Sequence, residues 1–356
     1  MTFRHEDMAM HALGAIDSKS ISVVIQGPLY RASGPERSIL TCIASIRRHL
    51  PCAEIIVSTW RDEDITEIDA DGIVLLDDPG GLFDCSGNQI NTNRMLHSTA
   101  KGIQAANRPY VMKLRADHRL TSAALAVIGR PIADDGQASR LFNTPITITT
   151  LYIRNPERVP MLFHLSDLVQ FGTREAMLDL WQQPLIQQQD LLNDKPFRNP
   201  FGHFTGYSSA RRVPEQAILL GAMRKKGIKV HLANPSQVTM SHLKLWDRVL
   251  RCNFRVLDYT EAGVAFPERF LSNGFSLKSL YTAAEIEQLG EIGPMAYRRR
   301  MASILLNKYV LSCFRPVWWL SMASIVLFNL SPRLARNMRS HWRKARKLVH
   351  ADSYRV

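Results

Sequence analysis

Tyr110-Val111-Met112-Lys113-Leu114-Arg115-Ala116-Asp117-His118-Arg119 passes from apolar to charged within a single short stretch. Its first half is β-prone and reads as a buried strand. The carboxylate at its exit, flanked by an imidazole and a guanidinium, reads as a site. In α/β sheets the ligand crevice opens beyond the carboxyl ends of the strands. An Asp beside His118 and Arg115 can hold a divalent cation and a diphosphate together; the alternative is a solvated loop with one ion pair.

Outward from this stretch, strands and helices alternate. Ile21–Ile25 reads as a strand ended by Gln26-Gly27-Pro28. Residues 35–49 carry Ile39, Leu40, Ile43 and Ile46 at helical spacing, and Pro51 stops them. Glu54–Thr59 and Gly72–Leu76 are further strands, the latter followed by the turn Asp77-Asp78-Pro79-Gly80-Gly81. Residues 91–106 read as a helix leading to the strand at Tyr110–Leu114. This alternation implies βαβ units and a parallel sheet. Downstream, Ile146–Ile153 is rich in β-branched residues and reads as a strand. Gln183–Pro200 reads as a mobile, Pro-punctuated loop, Pro214–Lys226 as a helix and Val230–Leu232 as a short strand. Past Met240 the chain reads mainly as helices and loops.

A chain of 356 residues can bury a large core. Its net charge of +13 is unevenly spread: from Ala296 onward 13 Lys or Arg face one acid, Asp352, so this segment carries +12 and the rest +1. The basicity belongs to a tail. Five cysteines (Cys42, Cys52, Cys85, Cys252, Cys313) show no zinc or redox spacing, which fits a reducing cytosol. The N-terminal residues lack the apolar core of a signal peptide, so export is not expected.

Four constellations could carry chemistry. Gly27, beside Gln26 after the first strand, lets backbone approach a ligand closely. No Gly-x-Gly-x-x-Gly or P-loop follows, which disfavours dinucleotide and ATP sites of those types. Asp77 and Asp78 could meet a base or ribose hydroxyl, or simply form the turn. Asn91-Thr92-Asn93-Arg94 opens a helix: Asn caps free N–H groups, and Arg94 adds a donor for phosphate. Lys113, Arg115 and Asp117 form the exit already described, with Asp117 as the candidate metal or diphosphate contact; Mg²⁺ or Mn²⁺ is often held by one carboxylate plus substrate phosphates. Further on, Asp167, Glu215 and His242 supply two acids and an imidazole. Glu215, at a helix start, could deprotonate an acceptor hydroxyl or merely complement the helix dipole. His242 could complete a cation shell or be an ordinary polar loop residue.

Taken together, Ile25-Gln26-Gly27-Pro28, Ala53-Glu54-Ile55-Ile56-Val57-Ser58-Thr59-Trp60, Asp78-Pro79-Gly80, Asn91-x-Asn93-Arg94, Lys113-Leu114-Arg115-Ala116-Asp117-His118, Asp167-x-Val169-x-Phe171-Gly172 and Pro214-Glu215-Gln216 resemble the WavE-type lipopolysaccharide-synthesis proteins. The resemblance runs from about Ile21 to about Asp247. It implies a GT-A-like glycosyltransferase: a Rossmann-like α/β fold, with a mostly parallel central sheet flanked by helices and a helical C-terminal extension. A nucleotide-sugar donor and a glycan or glycolipid acceptor are the implied partners. In that fold an acidic motif after the fourth strand holds metal and diphosphate. Here Arg115-Ala116-Asp117 occupies that place, and Arg115 could itself neutralise phosphate. The later acid and His of the fold would map to Glu215 and His242, with Asp167 the alternative base. The implied layout is an extension over 1–19, a transferase domain over 20–250, a helical segment over 251–308 and a tail over 309–356. A nucleotidyltransferase on a similar sheet and a non-catalytic membrane scaffold are the rival readings.

In the tail, Pro316–Leu330 is uninterrupted by charge, and Arg333, Arg336, Arg339, Arg343, Lys344, Arg346 and Lys347 follow. At about 22 Å of helix the apolar run is shorter than the roughly 30 Å hydrocarbon core. Trp318, Trp319 and the basic run suit an anchor on an anionic membrane surface, the cytoplasmic face of the inner membrane; a core helix with a solvated basic extension is the alternative. No nucleic-acid module accompanies the charge, so nucleic acid is not an expected partner.

Overall fold

The computed structural model describes residues 16–31, 38–84, 89–129, 139–197, 208–272, 277–338 and 340–341. Most of the expected N-terminal extension, and the basic residues Arg339, Arg343, Lys344, Arg346 and Lys347, lie outside them.

In chain order the strands are β1 Ile21–Gln26, β2 Glu54–Trp60, β3 Gly72–Leu76, β4 Leu82–Phe83, β5 Gln89–Ile90, β6 Tyr110–Arg115, β7 Arg119–Leu120, β8 Ile146–Thr149, β9 Gln170–Thr173, β10 Leu192–Phe197, β11 Ser208–Ala210, β12 Phe254–Leu257 and β13 Val264–Ala265. The α-helices are α1 Ile39–His49, α2 Thr92–Ala105, α3 Arg174–Trp181, α4 Gln188–Leu191, α5 Pro214–Lys225, α6 Met240–Asn253, α7 Glu268–Leu271, α8 Ala283–Gln288, α9 Pro294–Tyr309 and α10 Pro316–Leu330. Seven strands form one sheet in the order β12-β8-β9-β6-β1-β2-β3. All adjacent pairs are parallel except those of β9, which runs antiparallel to both β6 and β8. A mostly parallel central sheet, flanked by helices and continued by C-terminal helices, agrees with the expected α/β layout.

Burial explains the strand sequences. Both faces of β1 and of most of β6 are covered, so each is a near-continuous apolar run instead of an alternating one. On one face α2, α3, α5 and α6 bury Val24, Ile56, Leu96, Ile148, Leu180 and Trp246. On the other, α1 and the 262–280 region cover Val23, Ile25, Val57, Leu114 and Phe171. Helix α2 rides close on the sheet at Gly102. A Cβ there would collide with Cγ1 of Val24 and lie 3.1 Å from Cβ of Ser58.

Several segments differ from expectation. The strand at Ile146 ends at Thr149, because Leu151 and Tyr152 turn away from the sheet. Within Gln183–Pro200 lie α4 and β10, whose partner is β11. Val230–Leu232 is not a strand. The region past Met240 contributes β12, which closes one sheet edge beside β8.

Candidate active site

The chain leaves β1 toward β2 and β3 on one side, then returns to β6 on the other. The β1/β6 boundary is therefore the switch point of the sheet, where a crevice must open at the strand ends. Gln26 and Arg115 are paired in register at that rim. A cavity of about 360 Å³ lies there, lined among others by Gln26, Gly27, Tyr30, Trp60, Asp78, Asn91, Arg94 and Arg115. Six of the eight residues expected to meet a nucleotide sugar are thus brought together. Lys113 and Asp117 are not in the wall.

Gly27 has φ +91°, a conformation side-chain residues rarely adopt, and the space beside its Cα is open. Gln26 Oε1 accepts a hydrogen bond from Ser98 Oγ at 2.9 Å, and Ser58 Oγ donates to the Ser98 carbonyl at 2.8 Å. These bonds tie α2 to the sheet and bring its first turn to the cavity. There Arg94 Nε donates to Asp78 Oδ1 at 2.7 Å, Nη2 donates to Asp78 Oδ2, and Nη1 donates to Asn91 Oδ1 at 2.9 Å. Asp78 also accepts the Gly80 N–H at 2.9 Å, so the turn reading and the site reading both hold for it. The Arg94 hydrogen bonds keep its carboxyl below the ordinary value. Asn91 sits at the N-cap without making the expected capping bond, since its side chain serves Arg94 instead.

Asp117 lies behind this wall. Its carboxylate is sealed from solvent and accepts from Arg115 Nε at 3.0 Å, Arg115 Nη2 at 3.3 Å, His118 Nδ1 at 2.8 Å and Arg269 Nη2. Burial alone would raise its pKa, but the His118 and Arg115 hydrogen bonds and the guanidinium charge hold it well below the carboxylate range. Burial pushes His118 down to about 4, against the pull of Asp117, so its imidazole is neutral at pH 7. The expectation that Asp117 touches metal or diphosphate is corrected by this geometry. Asp117 clamps Arg115 and Arg269, and Arg115 faces the cavity. Tyr30 Oη accepts from Arg115 Nη2 at 2.8 Å, while both guanidinium groups stack near the Tyr30 and Phe270 rings.

The two expected acids, Asp167 and Glu215, do not line this cavity but feel each other's charge. Burial raises Asp167, and the charge of Glu215 raises it further, while Lys113 and Arg115 oppose. Glu215, at the start of α5, is likewise raised by burial, with its own backbone N–H and Arg154 opposing. His164 Nε2 lies 3.8 Å from Glu215 Oε2. Its Nδ1 bonds the Tyr152 carbonyl, and burial pushes it down to about 3, leaving it neutral. Lys113 is fully buried: its ammonium donates to the Asp167 carbonyl and sits 4.6 Å from the Trp181 ring centroid. Burial lowers it to about 8. It supports Asp167 from within the sheet instead of reaching a ligand.

Among the described residues no three His, Cys, Asp or Glu side chains cluster as a metal site. His242 opens α6 with its ring packed edge-on to Phe163, centroids 6.1 Å apart, with no described contact to Asp117. With both Asp117 oxygens taken by cationic or ring N–H donors, this donor set does not fit a divalent cation.

Sequence reading missed Tyr30, Tyr152, Arg154, His164 and Arg269. Three of them sit beside strained backbone: Tyr30, Tyr152 and Phe163, neighbour of His164, have φ of +54°, +74° and +58°. Such conformations cost about 1–3 kcal/mol each and concentrate at functional sites. No sequence signal marks them. Arg269 reaches Asp117 across 152 residues.

The chain is thus an α/β protein whose mostly parallel sheet opens a guanidinium-lined cleft at its switch point. The chain belongs to the WavE lipopolysaccharide synthesis family, whose sequence model matches residues 21–342. Comparison with the curated proteins returns no match. Among solved structures, the catalytic domain of Drosophila β1,4-galactosyltransferase 7 in complex with xylobiose is similar at 10% identity and a TM-score of 0.25. The match covers 62% of this chain and 66% of that one, just under two thirds of its length, and is too loose to bear on function.

Proposed function

We propose that this protein transfers a sugar from a nucleotide-sugar donor to a glycan acceptor in the assembly of lipopolysaccharide or another surface polysaccharide. The observation that carries this reading is the switch-point cavity, where Arg94 and Arg115 face the open backbone of Gly27. Two fixed guanidinium groups suit a diphosphate, and Trp60 and Tyr30 offer aromatic surface for a base. An acceptor hydroxyl oxygen bonds to the anomeric carbon while the bond from that carbon to the phosphate oxygen breaks. The bonding pair leaves with the nucleoside diphosphate, whose charge Arg115 and Arg94 stabilise. The acceptor proton goes to Glu215 or, failing it, to Asp167, both made more basic by burial. The free cysteines among the described residues suit the reducing cytoplasm, where we place the reaction.

Calorimetry with a panel of nucleoside diphosphates tests the reading. One of them should bind, and Arg115→Ala should weaken it about 30-fold, because a hydrogen bond to a charged group is worth about 1.5–3 kcal/mol. Absence of binding across the panel, or an undiminished affinity in the variant, would remove the basis for transfer.

A further inference from the structure

We propose that the C-terminal helices dock into one leaflet of an anionic bilayer and so present the cleft to a lipid-borne acceptor; the second half rests on the transfer reading above. Helix α10 has no charged residue along its length. A helix apolar on every side belongs in a core or in lipid. Here the core covers only part of it: Trp319 is 62%, Leu320 53% and Leu330 79% exposed, and Phe314 at the preceding corner is 81% exposed. Leu306, Tyr309, Val310 and Leu311 extend the same apolar surface.

Length excludes a crossing by α10 alone. Its 15 residues span about 22 Å, against roughly 30 Å of hydrocarbon. Among the described residues no single helix is long and apolar enough to span, but Pro294–Phe314 and Trp318–Leu330 form a pair bent by 82°. Such a corner fits into one leaflet. Charge decides between lipid and a protein cover. Arg333 and Arg336 follow α10 and are exposed, and the sequence stays basic to Lys347. A protein partner burying an apolar helix has no need of a run of like charges, whereas anionic headgroups attract one.

The pair is fixed to the globular body. From α9, Arg300 bonds Asp247 at 2.6 Å and Tyr281 Oη at 2.8 Å, Asn307 donates to the Glu157 carbonyl at 2.8 Å, and Lys308 donates to the Ser236 carbonyl at 2.6 Å. Helix α10 packs on β10. Leu192 of β10 shares a buried cluster with Leu191 and Ala217, and Ile90 packs against that cluster. Ala217 is two residues past Glu215, and Ile90 precedes Asn91. The exposed helix is thus tied through β10 to α5, the helix that opens beside Glu215.

The full-length protein should co-sediment with vesicles of phosphatidylglycerol in phosphatidylcholine and far less with pure phosphatidylcholine. Phe314→Ser/Trp319→Ser/Leu330→Ser and, separately, Arg333→Glu/Arg336→Glu should each lower partitioning by about tenfold or more. Quenching of wild-type tryptophan fluorescence by brominated lipid should report insertion without any variant. Undiminished partitioning of the triple variant, or no quenching, would overturn the proposal. So would a dimer by light scattering that the triple variant dissolves and that never sediments, which would assign the surface to a second copy. Should nucleoside diphosphates fail to bind while sedimentation persists, the transfer reading falls and docking stands. If the triple variant binds donor normally yet transfers into extracted membrane lipid about tenfold more slowly, acceptor presentation is supported; unchanged transfer overturns it.

Discussion

Replacing Asp117 by Asn should unfold the site before it disables the chemistry. The wild-type carboxylate accepts from three residues and its side chain is fully buried. An amide keeps one good acceptor, loses the charge, and turns an N–H₂ toward groups that themselves donate. Breaking a buried ion pair by removing one partner costs about 3–5 kcal/mol. Arg269 contributes little to this loss, because its side chain is 43% exposed and can turn into solvent. Arg115 at 21% and His118 at 0% cannot. We therefore expect the low end, about 3 kcal/mol, or a fall of about 1 M in the urea midpoint for a slope near 3 kcal/mol/M. The folded carboxyl pKa is depressed below the ordinary 3.8, so the stabilisation is complete above that value and disappears as pH falls through the lower folded value. The gap between wild type and variant should hold from pH 5 to 9, within the usual span of about pH 5–8 for maximal stability and just beyond it, and narrow only in acid. Adding Arg115→Met to the variant should recover part of the loss, since the stranded guanidinium is then gone. A destabilisation under about 1 kcal/mol would refute the clamp and return Asp117 to the role of a free ligand in the cleft.

Three other outcomes follow from the geometry. Gly102→Ala should lower the melting temperature and weaken nucleotide binding together, because the added carbon pushes α2, and Arg94 with it, off Val24; thermal melts and calorimetry would show a neutral change if the helix can give way. His118 and His164 have folded pKa values of about 4 and about 3 against 6.5, so the unfolded chain binds more protons between those limits. Stability should thus be full above pH 6.5 and fall by about 2 kcal/mol per histidine by pH 5, read by denaturation at the two pH values; a flat profile would contradict their burial. Glu215→Gln should cut the rate of sugar transfer by about 10²–10⁴-fold. In the wild type the rate should decline on the acid side from a point above the ordinary 4.5, because the base must be ionised and burial raises its pKa. A variant with full rate would move the role to Asp167.

The legible parts of the fold were those that a single local pattern determines. β1 and β6 are covered on both faces, so unbroken apolar runs mark them, and Gly27 and Arg115 stand where such strands must end. β12 escaped notice because Phe254-Arg255-Val256-Leu257 follows α6 without a turn signal, and its place beside β8 is set by packing across 100 residues and more. Lys113 misled for a related reason. A lysine at a strand exit suggests a phosphate ligand, but one residue of register turns it inward onto Trp181. The acid pair was named residue by residue, yet its surroundings could not be: His164 and Tyr152 owe their positions to left-handed backbone that only the finished core enforces.

The reversal of β9 bears on how such a rim can be assembled. In a purely parallel sheet, every loop arriving at the ligand edge is one that has just left a strand. With β9 inverted, and Gln170 opposite Lys113, the segment carrying Asp167 reaches that edge while still on its way in. The end of β6 supplies Arg115 and the segment entering β9 supplies Asp167, so the two polarities come from separate stretches of chain. Because Asp167 lies three residues before the first ladder pair, the inbound acid hangs on a short tether, and its place within reach of the Arg115 charge is inherited from the sheet itself.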